Sequence, residues 1–123
     1  MSSEEQVPFN EKYSSLFENC ISCSIPNGWY NILDVLFGEM EHLRLNGYWD
    51  LRVEQVKEKF AEVRIYYSYH RPSKSLQAMV RLAEYACDRS CQECGKPADV
   101  QQFGFLLKRI CENCKDGTNF VKV

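Results

Sequence analysis

Seven cysteines stand out among the 123 residues, and five of them are confined to the last 37. They fall as Cys20-x-x-Cys23, a lone Cys87, and the pairs Cys91-x-x-Cys94 and Cys111-x-x-Cys114. An odd number disfavours a closed disulfide framework. The opening Met1-Ser-Ser-Glu-Glu-Gln is polar and acidic, unlike a secretory leader. That predicts a cytoplasmic chain in a reducing compartment, where thiols bind metal or sit in a core.

The two late pairs form a C-x2-C-x16-C-x2-C pattern, the spacing of a zinc ribbon or related finger. Two intervening residues let a tight knuckle aim both sulfurs at one ion. Gly95 follows the second sulfur, where such a knuckle needs a left-handed turn. Cys91, Cys94, Cys111 and Cys114 are therefore the expected zinc ligands. Four thiolates close a tetrahedral site and leave no open position for substrate, so the metal is expected to be structural. Lys96, Lys108, Arg109 and Lys115 would offset its negative charge.

Cys20 and Cys23 admit three readings: half of a second metal site completed by Cys87 or His70, a redox pair, or two ordinary loop thiols, which is favoured. Cys87 lies on an apolar helix face and reads as a core thiol. His42 and His70 follow no nucleophile motif, and there is no Gly-rich phosphate loop, H-E-x-x-H or G-x-S-x-G. Glu39 with Glu41, or Asp34 with Glu39, reads as a solvated helix face.

The elements that must hold these residues are legible in part. Trp29, Ile32, Leu33, Leu36, Phe37, Met40 and Leu43 recur at intervals of three and four, predicting an amphipathic helix capped by Asn27 and stopped by Asn46-Gly47. A shorter helix is expected over 11–18, then a loop from Cys20 to Gly28. The period then changes to two. Two strands, about 49–57 and 62–69, are expected as an antiparallel hairpin, with a single helix over 55–63 as the competing reading. Val63, Ile65, Tyr67 and Tyr69 share one face. The joint at Lys59-Phe60-Ala61-Glu62 lacks an Asn-Gly signal. Pro72 and Ser73 open a second helix that buries Leu76, Met79, Val80, Ala83, Ala86 and Cys87. Phe103, Phe105, Leu106, Leu107 and Ile110 suit a small hairpin between the late cysteine pairs.

Together these predict an α+β chain: two helices packed on a small antiparallel sheet, with a C-terminal zinc-ribbon or treble-clef-like hairpin. Residues 1–90 would form the core and 91–123 the metal-bound hairpin packed against it. The chain is 45% hydrophobic with sixteen aromatic residues, which excludes a disordered chain, and no apolar run approaches a membrane span.

Net charge is −2, which argues against non-specific nucleic-acid binding as the main role. Residues 1–62 hold eleven acids and five bases; residues 63–123 hold six acids and ten bases. The aromatic run Ile65-Tyr66-Tyr67-Ser68-Tyr69 beside Arg64 and Arg71 could stack on bases.

Three stretches together resemble a family of small uncharacterised bacteriophage and prophage proteins. They are Gly28-Trp29-Tyr30 at the helix start, Gln55-Val-Lys-Glu-Lys-Phe60 leading into the second strand, and Cys91-x-x-Cys94-Gly95. The resemblance spans about residues 20 to 114. Family members carry Gly after the Phe, where this chain has Ala61, and tend to end the last ligand pair in His, where this chain has Cys114. The resemblance implies a phage or prophage origin and action inside a host bacterial cell. It implies no reaction.

The leading expectation is a non-enzymatic protein that binds a host or defence protein stoichiometrically, as an anti-CRISPR or other anti-defence inhibitor does. The alternative is a nucleic-acid-binding or transcription-modulating zinc protein using Arg64, Arg71, Arg89, Lys96, Lys108 and Arg109 on phosphates. An enzyme using Cys20, Cys23 or His70 ranks third. Exposed aromatics around Tyr66 leave a dimer open.

Overall fold

The protein is described from a computed structural model, covering residues 6–71, 73–115 and 120–122. Pro72 and the first five residues, both used in the sequence reading, lie outside these.

The apolar stripe forms α2 (Tyr30–Leu45), entered through a 3-10 turn at Asn27–Trp29. Trp29, Leu33, Phe37 and Met40 are completely buried, and Tyr30 and Leu36 nearly so. Asn27 is not the cap. It is the first residue of the 3-10 turn, and Pro26 stands at the cap position with no side-chain bond. The predicted stop holds: the Asn46 side-chain amide donates to the His42 carbonyl at 2.7 Å, and Gly47 takes φ +123°. The expected helix over 11–18 shrinks to one turn, α1 (Phe9–Lys12), followed by turns. Aromatic packing fixes this arm instead. Phe9 stacks on Tyr30 with centroids 4.6 Å apart and meets Phe37 edge-on, as does Phe17. Asp34 is not a free surface carboxylate: it accepts from Tyr13 at 2.6 Å and pairs with Lys12. Glu41 likewise pairs with Arg44.

The period-two region is a hairpin, not the competing helix: β2 (Arg52–Lys59) and β3 (Glu62–Ser68), antiparallel. Both strands start or end within three residues of the expected bounds. Val63 and Ile65 turn inward as alternation requires, and Val53 and Val56, three residues apart, both do so because the register shifts between Val53 and Gln55. The two-residue turn is built from Phe60 and Ala61, both left-handed at φ +53° and +65°. That backbone matches the twist of a hairpin but normally recruits Asn or Gly. The Ala61 N–H is held by the Glu58 carboxylate at 2.8 Å.

The sheet is mixed rather than purely antiparallel. The segment expected as loop contains β1 (Ser22–Cys23), which pairs parallel to β2. Two residues carry too little pattern to announce a strand, and the pairing is tertiary.

α3 (Lys74–Cys87) begins at Ser73, whose hydroxyl accepts from the Leu76 N–H at 3.1 Å. Its Leu76, Val80, Ala83 and Cys87 are buried in the same cluster as the α2 stripe. The two helices run antiparallel. Trp29 at the start of α2 bonds Ser90 beyond the end of α3, and Arg71 before α3 bonds Gly47 beyond the end of α2.

The tail makes a second three-stranded sheet. β4 (Val100–Phe103) pairs antiparallel with β5 (Leu106–Arg109) on one side and β6 (Val121–Lys122) on the other. A final turn, α4 (Glu112–Lys115), follows. The architecture is α+β, with two main helices, two small sheets, and the late cysteines clustered around the β4–β5 hairpin. No helix is long and apolar enough to cross a membrane among the described residues.

Candidate metal centre

The first late pair sits in a knuckle. Cys91 N–H donates to the Lys96 carbonyl at 2.6 Å, and Gly95 N–H returns to the Cys91 carbonyl at 2.9 Å. Gly95 has φ +84°, the left-handed turn its position demands. The Glu93 N–H points at Cys91 Sγ, 3.4 Å away. The β4–β5 hairpin then carries the chain back, and Cys111 and Cys114 flank and enter α4. This knuckle, hairpin and helix order is treble-clef-like, the second of the two shapes allowed by the spacing.

Cys91, Cys94, Cys111 and Cys114 converge with all four Sγ atoms within 4.8 Å of one another. Cys94 and Cys111 are 3.6 Å apart. A tetrahedron with metal–sulfur bonds of about 2.3 Å has edges of roughly 3.8 Å, so the sulfurs stand close to where a bound ion would hold them. Cys91 is buried, Cys94 exposed, and the other two half-buried. This is the one group of three or more His, Cys, Asp or Glu side chains with metal-binding geometry among the described residues. Four thiol donors suit a thiophilic ion such as zinc.

The thiols compete for protons when no ion is bound. The Cys114 backbone N–H, assisted by neighbouring thiols, lowers Cys111 to about 7. Burial and then the adjoining thiols raise Cys114. The Lys96 backbone N–H favours the Cys94 thiolate, yet burial and the thiols outweigh it and the net direction is up. Cys111 is thus biased toward the thiolate, and Cys94 and Cys114 toward the thiol. A divalent ion removes this conflict by taking all four as thiolates.

Two glutamines brace the centre, and the sequence reading missed both. The Gln92 N–H donates to the Arg109 carbonyl at 2.8 Å, while its side-chain oxygen accepts from the Arg109 N–H at 2.7 Å. Gln101 is almost fully buried; its amide donates to the Ile110 carbonyl at 3.0 Å and accepts from Lys115 Nζ at 2.9 Å. Lys108 pairs with Glu93 across the knuckle.

Gly28 was also missed as part of this site. Its N–H donates to the Gln92 carbonyl at 2.9 Å. A methyl added there would lie 2.0 Å from the Cys91 carbonyl oxygen and 2.8 Å from the Gly95 nitrogen. Its neighbour Trp29 is fully buried and donates from Nε1 to the Ser90 carbonyl at 3.3 Å. The knuckle is thus seated directly on the entry to the core helix. A glycine immediately before an amphipathic stripe was the available signal.

The remaining candidates do not join the cluster. Cys87 is a core thiol, pushed up to about 12 by burial. Cys20 donates to the Ser22 carbonyl at 3.3 Å, and surrounding chain raises its thiol. Cys23 is exposed as a residue, yet the atoms packed about its sulfur push it up to about 11. Neither is an activated thiol. His70 stands on the surface, bonded through Nδ1 to Asp50 and stacked near Trp49. Neither Cys87 nor His70 completes a second site with Cys20 and Cys23.

The six basic residues offered for phosphate contact are mostly engaged. Arg64 pairs with Glu62, and Arg71 bonds Gly47 and covers the Tyr48 ring. Arg89 folds over Tyr85 with its guanidinium carbon 3.4 Å from the ring centroid. Lys108 is held by Glu93, and Arg109 donates to the Ala98 carbonyl with its Nε buried. Lys96 is exposed on the knuckle. In the aromatic run, Tyr67 and Tyr69 stack on each other against the core, and of the three tyrosines only Tyr66 is exposed, beneath Lys57.

Comparison of the chain with protein-family models, curated proteins and solved structures gives no match. The fold and the cluster define a small α+β protein with a four-cysteine site that could bind a metal ion such as zinc.

Proposed function

We propose that this chain is a zinc-stapled binding protein, non-enzymatic, that engages a protein partner through the hairpin its metal centre holds in place. The observation that carries the reading is the hairpin tip. Phe105 is completely exposed, and Phe103 and Leu106 beside it are half-exposed. Large apolar side chains presented on a tight turn are common anchors of protein interfaces. The four sulfurs fill a tetrahedral ion, so the metal would hold structure and take no substrate.

The resemblance to small phage and prophage proteins makes a host or defence protein the natural partner, with inhibition, as by an anti-CRISPR, the expected effect. The engagement of five of the six basic residues within the chain favours this over nucleic-acid binding. A photo-crosslinking residue in place of Phe105, expressed in a bacterial host, tests it. The expected result is one dominant adduct that disappears when Leu106→Asp is added. No adduct, or an adduct indifferent to that change, contradicts the reading.

A further inference from the structure

Cys94 differs from the other three clustered cysteines in its surroundings. It alone is exposed, whereas Cys91 is buried and Cys111 and Cys114 are half-buried. It also lines a recess of about 450 Å³ between the knuckle and the entry to α2. Gln6, Asn27, Asn31 and Glu93 supply polar groups to the same recess. Water and small polar molecules can therefore reach this residue, while Cys91 is enclosed and receives the Glu93 N–H.

A second thiol stands within reach. Cys111 Sγ lies 3.6 Å from Cys94 Sγ. A disulfide needs about 2.05 Å, so the two sulfurs have roughly 1.5 Å to close. Exposure decides which thiolate a small oxidant meets first, and proximity decides which thiol answers it.

We propose that Cys94 is a modification site for a small peroxide and that Cys111 resolves it, so that oxidation turns the centre into a disulfide and releases its metal. The Cys94 thiolate attacks one peroxide oxygen, the O–O bond breaks, and hydroxide leaves; the sulfur is now a sulfenic acid. The Cys111 thiolate attacks that sulfur, the S–S bond forms, and a second hydroxide leaves. Two thiolates have been oxidised by two electrons, and one peroxide has been reduced to two hydroxides. Only Cys91 and Cys114 remain as donors, half of a closed tetrahedral set. The inference rests on the zinc-bound reading of the centre but not on any partner at Phe105.

The test treats the zinc-loaded full chain with a small excess of hydrogen peroxide and follows released zinc with the dye pyridylazoresorcinol. Trypsin spares the Lys96–Pro97 bond, so residues 90–108 carry Cys91 and Cys94, and residues 110–115 carry Cys111 and Cys114. The expected result is zinc release in step with a crosslink joining the two peptides through Cys94 and Cys111. Dithiothreitol with added zinc should reverse it. Cys94→His keeps a zinc donor that cannot form the bond, and should slow release about tenfold or more. Zinc content and circular dichroism check that variant, and the peptide map of the native chain decides alone if it fails to load. Zinc retained under peroxide, release as fast from Cys94→His, or disulfides only within each peptide overturns the proposal. A preparation that carries no zinc defeats the metal reading instead, and the map still decides whether Cys94 and Cys111 pair.

Discussion

At Gly28 the backbone of the core helix and that of the metal knuckle come so close that no side chain fits. Gly28→Ala must push the knuckle away or unseat the helix entry. The expected cost is about 3 kcal/mol, the upper part of the overpacking range, because the obstructing atoms are backbone and cannot rotate aside. Urea unfolding of the zinc-loaded variant checks it, and a competitive chelator should strip its metal faster than from the native chain. The cysteines divide by burial in the same way. Cys91 is enclosed and receives the Glu93 N–H, whereas Cys94 is exposed. Cys91→Ser should therefore destabilise the fold more than Cys94→Ser. Equal losses would show that the buried ligand has no special structural weight. The late cysteines could be identified from spacing alone, because the ligand pattern is local in each pair. Gln92 and Gln101 could not, since their partners lie at distances in sequence that no local pattern reports, and Gly28 showed only as a glycine at the start of the apolar stripe.

Between elements, the β2–β3 turn keeps two residues in a conformation that suits neither. Phe60 is largely exposed at φ +53°, and Asn tolerates that region far better. Phe60→Asn should stabilise the fold by about 0.5–1 kcal/mol, measured by thermal or urea unfolding. A loss would mean that the ring makes contacts worth more than the strain. The end of α3 offers a second test. Burial raises Asp88, against the opposing effect of the Val63 N–H that it accepts at 3.0 Å. Burial also raises Glu84. A carboxyl with a raised folded-state pKa stabilises the fold below its unfolded pKa. That contribution is lost as pH rises through the folded value. Relative to Glu84→Gln/Asp88→Asn, the native chain should thus lose ground between acid and neutral pH. Matched unfolding curves across that window check the direction, and metal loss in acid cancels because both chains carry the same centre. The long helices were readable because their apolar period extends over four turns. The α1 boundary, β1 and the Phe60–Ala61 turn were not: α1 is set by aromatic packing, β1 by pairing with a distant strand, and the turn by a backbone its residues do not advertise.

Across the whole molecule, the small first sheet and the helix pair share one core, and the tail is fastened to it at Gly28 and Trp29. Among its described residues the tail buries few apolar side chains, Ile110 chief among them, and leaves Phe103, Phe105 and Leu106 in water. Such a segment needs a staple, and four converging sulfurs supply the ligands for one. One zinc ion would do this. Native mass spectrometry with elemental analysis, on protein purified without chelator, tests it most directly. One zinc per chain is expected, bound by the four late cysteines. Its removal should unfold the tail and weaken the core through the Gly28 contact. A folded chain that carries no metal, or one whose unfolding curve is unchanged by chelation, would contradict it.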